Sequence, residues 1–391
     1  MARPVPVLFL LPALPVGGAE RQIAALVRGL DPARFRPLVA TQHGRGPVAE
    51  DLEAAGHPVR VLSDARRFDP SFLARVATLV RSEGVRLVLA HGFSTGVAAR
   101  VGGLLGGAPV RILAEHSTGE RDMSPARHRV NRLLAPLTDT WVALAEGQLP
   151  YLVEEKGIPR DRIRIIPNGI DPAPFGPDPS GRPGARERIR AELGLPADAP
   201  VAGILAVLRP EKDHRTFLLA ARFVLDELPE AHFLVVGDGP LRGDLEHELT
   251  ALDLVGRVVF AGRRADIPDV LTAFDVSVLS STDVETFPLA FLEAMATGLP
   301  LVGTRVGGLP DLVHDGRNGR LVRPRDPRGL ADAMRGLLAD ADLRRRLGAE
   351  SRRLVEERFH VDRMIRAYED LFAERLTRRG VAVPPRPGGD A

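Results

Sequence analysis

The chain has 391 residues, of which 44% are hydrophobic and 27% charged, with a formal net charge of +2. That length suits two globular domains, the near-neutral balance gives no electrostatic footprint for nucleic acid, and the lack of cysteine excludes disulfides, thiolate metal sites and cysteine nucleophiles. Of the 53 basic residues two are lysine, Lys156 and Lys212, so a lysine inside a motif stands out against an arginine background.

The apolar run at the start is interrupted by Pro6, Pro12 and Pro15 and preceded by a single arginine. It reads as a first strand, not a secretory leader. No stretch reaches the ~18 apolar residues of a membrane span, and a cytoplasmic protein is expected. Strands follow at 5–11, 37–40, 59–62, 87–90, 110–114, 140–144 and 163–165. Helices fall between them at 19–30, 70–83, 95–105, 125–134 and 146–156. Continuous apolar strands alternating with helices predict a parallel sheet covered on both faces, a doubly wound α/β domain. Residues 1–180 hold 22 basic and 18 acidic side chains, a net of +4; the remainder holds 31 and 33, a net of −2. The excess gathers around Arg121, Arg127, His128, Arg129 and Arg132. A solvated arginine-rich helix and a surface for anionic acceptors or lipid headgroups are both open readings.

Residues 171–200 break the alternation with proline, glycine and charge, as a linker carrying one short helix does. The pattern then restarts, with strands at 201–206, 233–236, 258–260, 276–279, 301–303 and 319–322. Helices are expected at 214–228, 241–252, 267–274, 289–297 and 328–337. Two amphipathic helices, 343–359 and 361–377, close the chain before a Pro/Gly-rich tail. The expected division is a first Rossmann-like domain over 1–175, a linker at 176–198, a second Rossmann-like domain over 199–359, a last helix at 360–378 and a disordered tail at 379–391. Ligands in such domains sit beyond the carboxyl ends of the strands.

The segment 280–308, SSTDVETFPLAFLEAMATGLPLVGTRVGG, is the most informative. From Thr286 to Thr304 its one charged residue is Glu293, amid Phe291, Leu292, Ala294 and Met295. A carboxylate there costs several kcal/mol of desolvation, roughly, unless something bonds to it. Vicinal hydroxyls such as those of ribose are natural partners. Glu285 lies eight residues earlier, and Pro288 is expected in the first turn of the intervening helix, whose amides and dipole form an anion site. One strand–loop–helix unit thus offers a phosphate cradle and two carboxylates, a set that suits a sugar nucleotide diphosphate.

This segment resembles the Glu-x7-Glu motif of the retaining glycosyltransferases of family four, which have the GT-B fold of two Rossmann-like domains facing each other across a cleft. The resemblance runs along nearly the whole chain. VGGAERQ (16–22) is similar to the family's first glycine loop and IPNGID (166–171) to its domain-closing motif. LRPEKDH (208–214), VGDGPL (236–241), GRRADIPDVL (262–271) and DGRNGRLV (315–322) follow in the family's order. It implies that Lys212 contacts the donor diphosphate, that Glu293 binds ribose and that Glu285 lies near the donor sugar, with Thr286, Phe287 and Leu289 beside it. Where relatives commonly place an arginine five residues before the lysine, this chain has Val207, and Arg209 is the candidate replacement. Pro288 stands where relatives often carry the second glycine of Gly-Phe-Gly, which removes one amide. The same resemblance implies that Arg263 follows the glycine of the segment that holds the base in relatives, that Gly17 and Gly18 lie near the donor phosphate or acceptor, and that His116 corresponds to the histidine near the reacting carbon. His91, at the end of another predicted strand, is a weaker candidate of the same kind.

No aspartate pair or histidine cluster stands at metal-ligand spacing, so a metal-free reaction without cofactor is expected, with Lys212, Arg209 and helix N-termini neutralising the diphosphate. The resemblance implies a retaining transfer from a UDP- or GDP-type sugar donor to a glycan or lipid-linked acceptor, with the last helix packing back on the first domain. Peripheral contact with the anionic inner face of a membrane is a further expectation. Three alternatives remain at this stage: a sugar-nucleotide 2-epimerase on the same architecture, a dinucleotide-dependent oxidoreductase and a non-catalytic sugar-nucleotide-binding protein. Against the oxidoreductase, VGDGPL lacks the full glycine fingerprint and its acidic partner about 20 residues on.

Overall fold

The computed structural model of the chain describes residues 3–63, 69, 71–116, 125–177, 183–283 and 285–386. The chain divides into two compact units, residues 1–168 with 361–391, and residues 169–360. Each is built on one parallel sheet.

In the first unit the strands are β1 Val5–Leu11, β2 Phe35–His43, β3 Val59–Ser63, β4 Leu87–His91, β5 Val110–Ala114, β6 Thr140–Ala143 and β7 Ile163–Ile165. They pair in parallel in the order β3-β2-β1-β4-β5-β6-β7. In the second unit they are β8 Val201–Leu205, β9 His232–Val236, β10 Val258–Gly262, β11 Val276–Leu279, β12 Leu301–Thr304 and β13 Gly319–Val322, ordered β10-β9-β8-β11-β12-β13. The strand order reverses between β1 and β4 and again between β8 and β11. At such a switch point the loops diverge to opposite faces and leave a crevice at the carboxyl ends of the strands.

The sheets form because their strands can be buried on both faces. β4, β5, β9 and β11 are buried along their whole length. In the first unit Phe9, Leu11, Leu26 and Ile112 lie in a core on one face of the sheet. Leu8, Leu10, Val76 and Trp141 lie in a core on the other. The last helix, Val361–Arg378, belongs to the first of these cores through Met364, Tyr368, Leu371 and Phe372, and the Phe372 ring meets Phe9 and Phe35 edge-on. Its Glu369 accepts from the Asp31 amide at 2.8 Å and from buried Arg34 at 2.9 Å.

Several elements differ from the sequence reading. The helix Pro47–Ala54 was not anticipated; its apolar side consists of Val48, Ala49 and Leu52, too few for a clear period. The single helix expected at 146–156 is a tight turn, Glu146–Gln148, followed by a π-helical stretch, Tyr151–Glu155. Pro150 lies between them and has no N–H to carry a regular ladder through. The short helix expected within the linker forms at Ala185–Glu192, where Arg190 pins it to the second unit. That guanidinium is 1% exposed. It donates to the carbonyls of Ala197 (2.7 Å), Ala199 (2.8 Å) and Ala273 (3.0 Å) and to Asp275 Oδ2 (2.9 Å). The expected disordered tail is in place over its first part: Arg34 Nε donates to the Pro384 carbonyl at 3.1 Å, Arg386 pairs with Glu369 at 3.1 Å, and Val381 and Val383 pack on the core. Residues 387–391 lie outside the described residues.

Candidate active site

In the second unit the loops after β8 and β11 are neighbours because their strands pair, Ala202 with Val276 through Ile204 with Val278. The loop after β8 runs to a 3-10 turn, Pro210–Lys212, and then to the helix His214–Leu225. Asp213 joins the two at φ 47°, and its carboxylate caps the helix by accepting from the Thr216 amide at 3.2 Å. The loop after β9 braces this path from behind. The Leu208 amide donates to the Asp238 carbonyl at 3.2 Å, and the Leu241 amide to the Leu208 carbonyl at 3.2 Å. A Cβ on Gly239 would lie 2.6 Å from the Leu208 carbonyl oxygen, so no other residue fits that approach without a shift.

The loop after β11 carries the other half of the site. Ser280 Oγ lies 2.9 Å from the carbonyl oxygens of both Lys212 and Asp213, and the Thr282 amide donates to the Glu211 carbonyl at 3.0 Å. These contacts stitch the two loops together. At their junction Lys212 Nζ meets Glu285 Oε2 at 2.5 Å, and Ser281 Oγ donates to the same oxygen at 2.7 Å. Lys212 is partly exposed while Glu285 is buried. A third loop, after β12, closes on Glu285: the Gly308 amide donates to its carbonyl at 2.9 Å.

Glu285 leads into the helix Leu289–Thr297, which has no side-chain cap at its start. Pro288 is the N-cap in extended conformation, one place before the helix and not in its first turn as the sequence suggested; its carbonyl accepts the Phe291 amide. Glu293 on this helix is 2% exposed, between Leu292 and Ala294 with no exposure at all. Phe287 is buried with its ring edge-on to Phe359 at 5.4 Å, and Leu289 is buried beside it. Thr286 is partly buried. His214, behind Lys212, is 1% exposed, and neither ring nitrogen has a hydrogen-bond partner. Burial, and then the Lys212 charge, push its imidazole down to about 4. Arg209 and Arg263 are exposed, and among the described residues neither guanidinium meets a carboxylate. Val207, where relatives commonly carry an arginine, is exposed at 48%.

The remaining candidates lie in the first unit. Gly17 and Gly18 lead into the helix Gly18–Gly29 after β1. A Cβ on Gly17 would fall 2.2 Å from a Glu20 carboxylate oxygen, and burial raises the Glu20 carboxyl above its usual range. His91 ends β4 and His116 follows β5 by two residues; their rings stand 4.5 Å apart. Burial lowers both imidazoles, His116 to about 4. The structure therefore brings together Lys212, Glu285 and the helix of Glu293 in one unit, and His91 with His116 in the other. Ser280, Ser281 and Gly307 were missed by sequence reasoning; the available signal was two hydroxyls directly after a buried strand.

A lysine, two buried glutamates and an uncapped helix start thus lie together at a Rossmann switch point, the place where ligands of such domains commonly sit. Comparison with known proteins gives the class. The glycosyltransferase family 4 profile matches residues 16–174, and that of the glycosyl transferases group 1 matches residues 199–340. The chain is 27% identical over 319 residues to the UDP-Gal:alpha-D-GlcNAc-diphosphoundecaprenol alpha-1,3-galactosyltransferase of Escherichia coli, covering 80% of this chain and 81% of that one. It is 34% identical over 278 residues to the D-inositol 3-phosphate glycosyltransferase of Acidothermus cellulolyticus, covering 66% of this chain and 57% of that one. Among solved structures, Anabaena HepE in complex with UDP superposes with a TM-score of 0.83 at 24% identity, over 95% of this chain and 100% of that one. The chain is a GT-B fold glycosyltransferase related to the group 1 and family 4 glycosyltransferases. It transfers a sugar from a nucleotide-diphosphate sugar to an acceptor.

Proposed function

We propose that this enzyme is a retaining, metal-independent transferase that uses a UDP-sugar donor and delivers the sugar to a hydroxyl of a glycan or lipid-linked acceptor. The observation that carries the reading is the Lys212–Glu285 junction at the β8/β11 switch point, with Glu293 buried on the helix that follows. The choice of UDP is supported by HepE, solved with UDP and with UDP-glucose, and by the UDP-Gal relative.

In the proposed reaction Lys212 exchanges its contact with Glu285 for the donor diphosphate, and Arg209 and the uncapped start of the helix Leu289–Thr297 add to the same field. Glu293 accepts from the ribose hydroxyls, Arg263 lies along the base, and Glu285 is released towards the sugar. Thr286, Phe287 and Leu289 shape that pocket. In the first unit Gly17 and Gly18 permit close approach of a ligand to the backbone, and His116 is the catalytic residue. The bond from the anomeric carbon to the departing phosphate breaks as the acceptor oxygen bonds to the same face. The acceptor proton passes to the phosphate oxygen. Charge builds on the diphosphate in that step, so a preorganised cation lowers the barrier more than it tightens binding.

The acceptor proposal extends to a membrane surface. Leu104 and Leu105 on the helix Phe93–Gly106, and Val130 and Leu133 on the helix Pro125–Leu134, are exposed, and the two helices are in contact. Arg127, Arg129 and Arg132 share the second helix, which has no buried residue, while Arg121 lies outside the described residues. No helix among the described residues is long and apolar enough to cross a membrane; a cytoplasmic, peripheral location is part of the proposal. The test of the whole reading is UDP release from UDP-sugars in excess EDTA, together with calorimetry of UDP. Activity lost in chelator and restored by a divalent ion refutes metal independence, and absence of UDP binding refutes the donor assignment.

A further inference from the structure

The second of the two lysines, Lys156, also meets a glutamate. Its Nζ lies 3.0 Å from Glu115 Oε2, with the lysine side chain 6% exposed and the glutamate 13%. Glu115 directly precedes His116, and it is held at three points. Its amide donates to the Val142 carbonyl at 2.9 Å, its carboxylate pairs with Lys156, and its carbonyl accepts from Gln148 Nε2 at 2.9 Å. Gln148 has no exposed surface, and its Oε1 accepts from the amides of Leu144 (2.6 Å) and Ala145 (3.2 Å). One carboxamide therefore ties the loop after β6 to the loop after β5. Fixing the residue before His116 at backbone and side chain leaves the imidazole little freedom beyond its own side-chain torsions, and the ring rests against His91 at 4.5 Å.

We infer that Gln148, together with the Lys156–Glu115 pair, positions the His116 imidazole at the carboxyl end of β5. This rests on His116 being the catalytic residue of the first unit. Gln148 and Lys156 touch no substrate in this scheme; they act through Glu115. A displacement of the ring by about 1 Å is enough to cost on the order of 100-fold in rate.

The experiment uses the full chain and two charge-neutral changes. Gln148→Met removes the tie between the loops. The paired change Glu115→Gln with Lys156→Met removes the ion pair without leaving a buried charge alone. The His116 ring is titrated by NMR in each, folding is checked by thermal unfolding, and UDP release from UDP-glucose is measured. With the ring released to solvent, the His116 midpoint rises from about 4 by at least ~1 unit toward the ordinary 6.5, kcat falls by ~10- to 100-fold and KM for UDP-glucose holds. Lys156→Arg, which keeps the pair, leaves the His116 midpoint in place. A His116 midpoint unchanged in a folded Gln148→Met protein and in the paired variant overturns the inference. His116→Ala serves as a separate arm: full turnover there removes His116 from catalysis, while the titration still decides whether Gln148 and Lys156 position it.

Discussion

Gly307 offers the sharpest test of how the site is held. Its φ is +52°, and a Cβ built there would lie 1.8 Å from the Glu285 carbonyl oxygen, 2.9 Å from its carbon and 3.4 Å from its nitrogen. All three are backbone atoms, so no rotamer change relieves the overlap. Moving the oxygen from 1.8 Å to an ordinary contact of at least 3.4 Å requires about 1.6 Å of retreat by one loop or the other. Gly307→Ala therefore carries three costs. The left-handed conformation costs ~1–2 kcal/mol for a residue with a Cβ, and losing the bond from the Gly308 amide to Glu285 costs ~1 kcal/mol. The third is the displacement of Glu285 away from Lys212 and Ser281. We expect a stability loss of roughly 2–4 kcal/mol and a fall in turnover of ~100-fold, the scale for a misplacement of this size. Gly256→Ala is the control: φ there is +79°, but nothing lies within 4 Å of the added Cβ, so the conformational cost appears alone and turnover stays. Urea unfolding and UDP-sugar turnover measure both. If Gly307→Ala is no less stable than Gly256→Ala and turns over like the wild type, the backbone contact does not hold Glu285 and the account of the site is wrong.

Lys212→Ala is expected to cut turnover by ~100-fold or more with a smaller effect on donor affinity; Arg209→Ala matches it if Arg209 stands in for the arginine absent at Val207, and a near-wild-type Arg209→Ala assigns the role to another cation. Glu293→Ala should weaken UDP binding by roughly 1.5–3 kcal/mol, the scale of a hydrogen bond to a charged group, and unchanged affinity by calorimetry excludes the ribose contact. His214 is neutral when buried, with its imidazole at about 4 against an ordinary 6.5. Between those values the unfolded chain binds the extra proton, so stability falls as pH drops from 6.5 to about 4, by at most roughly 3 kcal/mol from this group. His214→Phe flattens that part of the profile, and a wild-type slope in the variant refutes the assignment. Binding to anionic vesicles at low salt should weaken as salt shortens the Debye length to ~3 Å at 1 M; no binding at low salt returns the arginine-rich helix to the solvated-face reading.

The two sheets were legible in the sequence because their central strands, such as β4, β5, β9 and β11, bury apolar runs, and burial on both faces makes such a run continuous. The same holds for the Glu285–Glu293 spacing: both residues belong to one loop and the helix it enters, so eight positions along the chain translate directly into geometry. Lys212 stood out by composition alone. What tertiary structure decided lies between segments distant in sequence. Lys212 and Glu285 are 73 residues apart, and they meet because β8 and β11 pair at the point where the strand order reverses. Gly307 is obligatory only once the loop after β12 lies against Glu285, and Lys156 and Gln148 gain meaning only once β5 and β6 set Glu115 between them. Arg190 fills a proline- and glycine-rich stretch that looked like a linker, because its guanidinium finds carbonyls and a carboxylate supplied by residues up to 85 positions away. A local pattern records which face of a strand or helix is buried. It does not record which loop end comes to rest beside another, since that depends on strand order, and strand order is settled by the packing of the whole sheet.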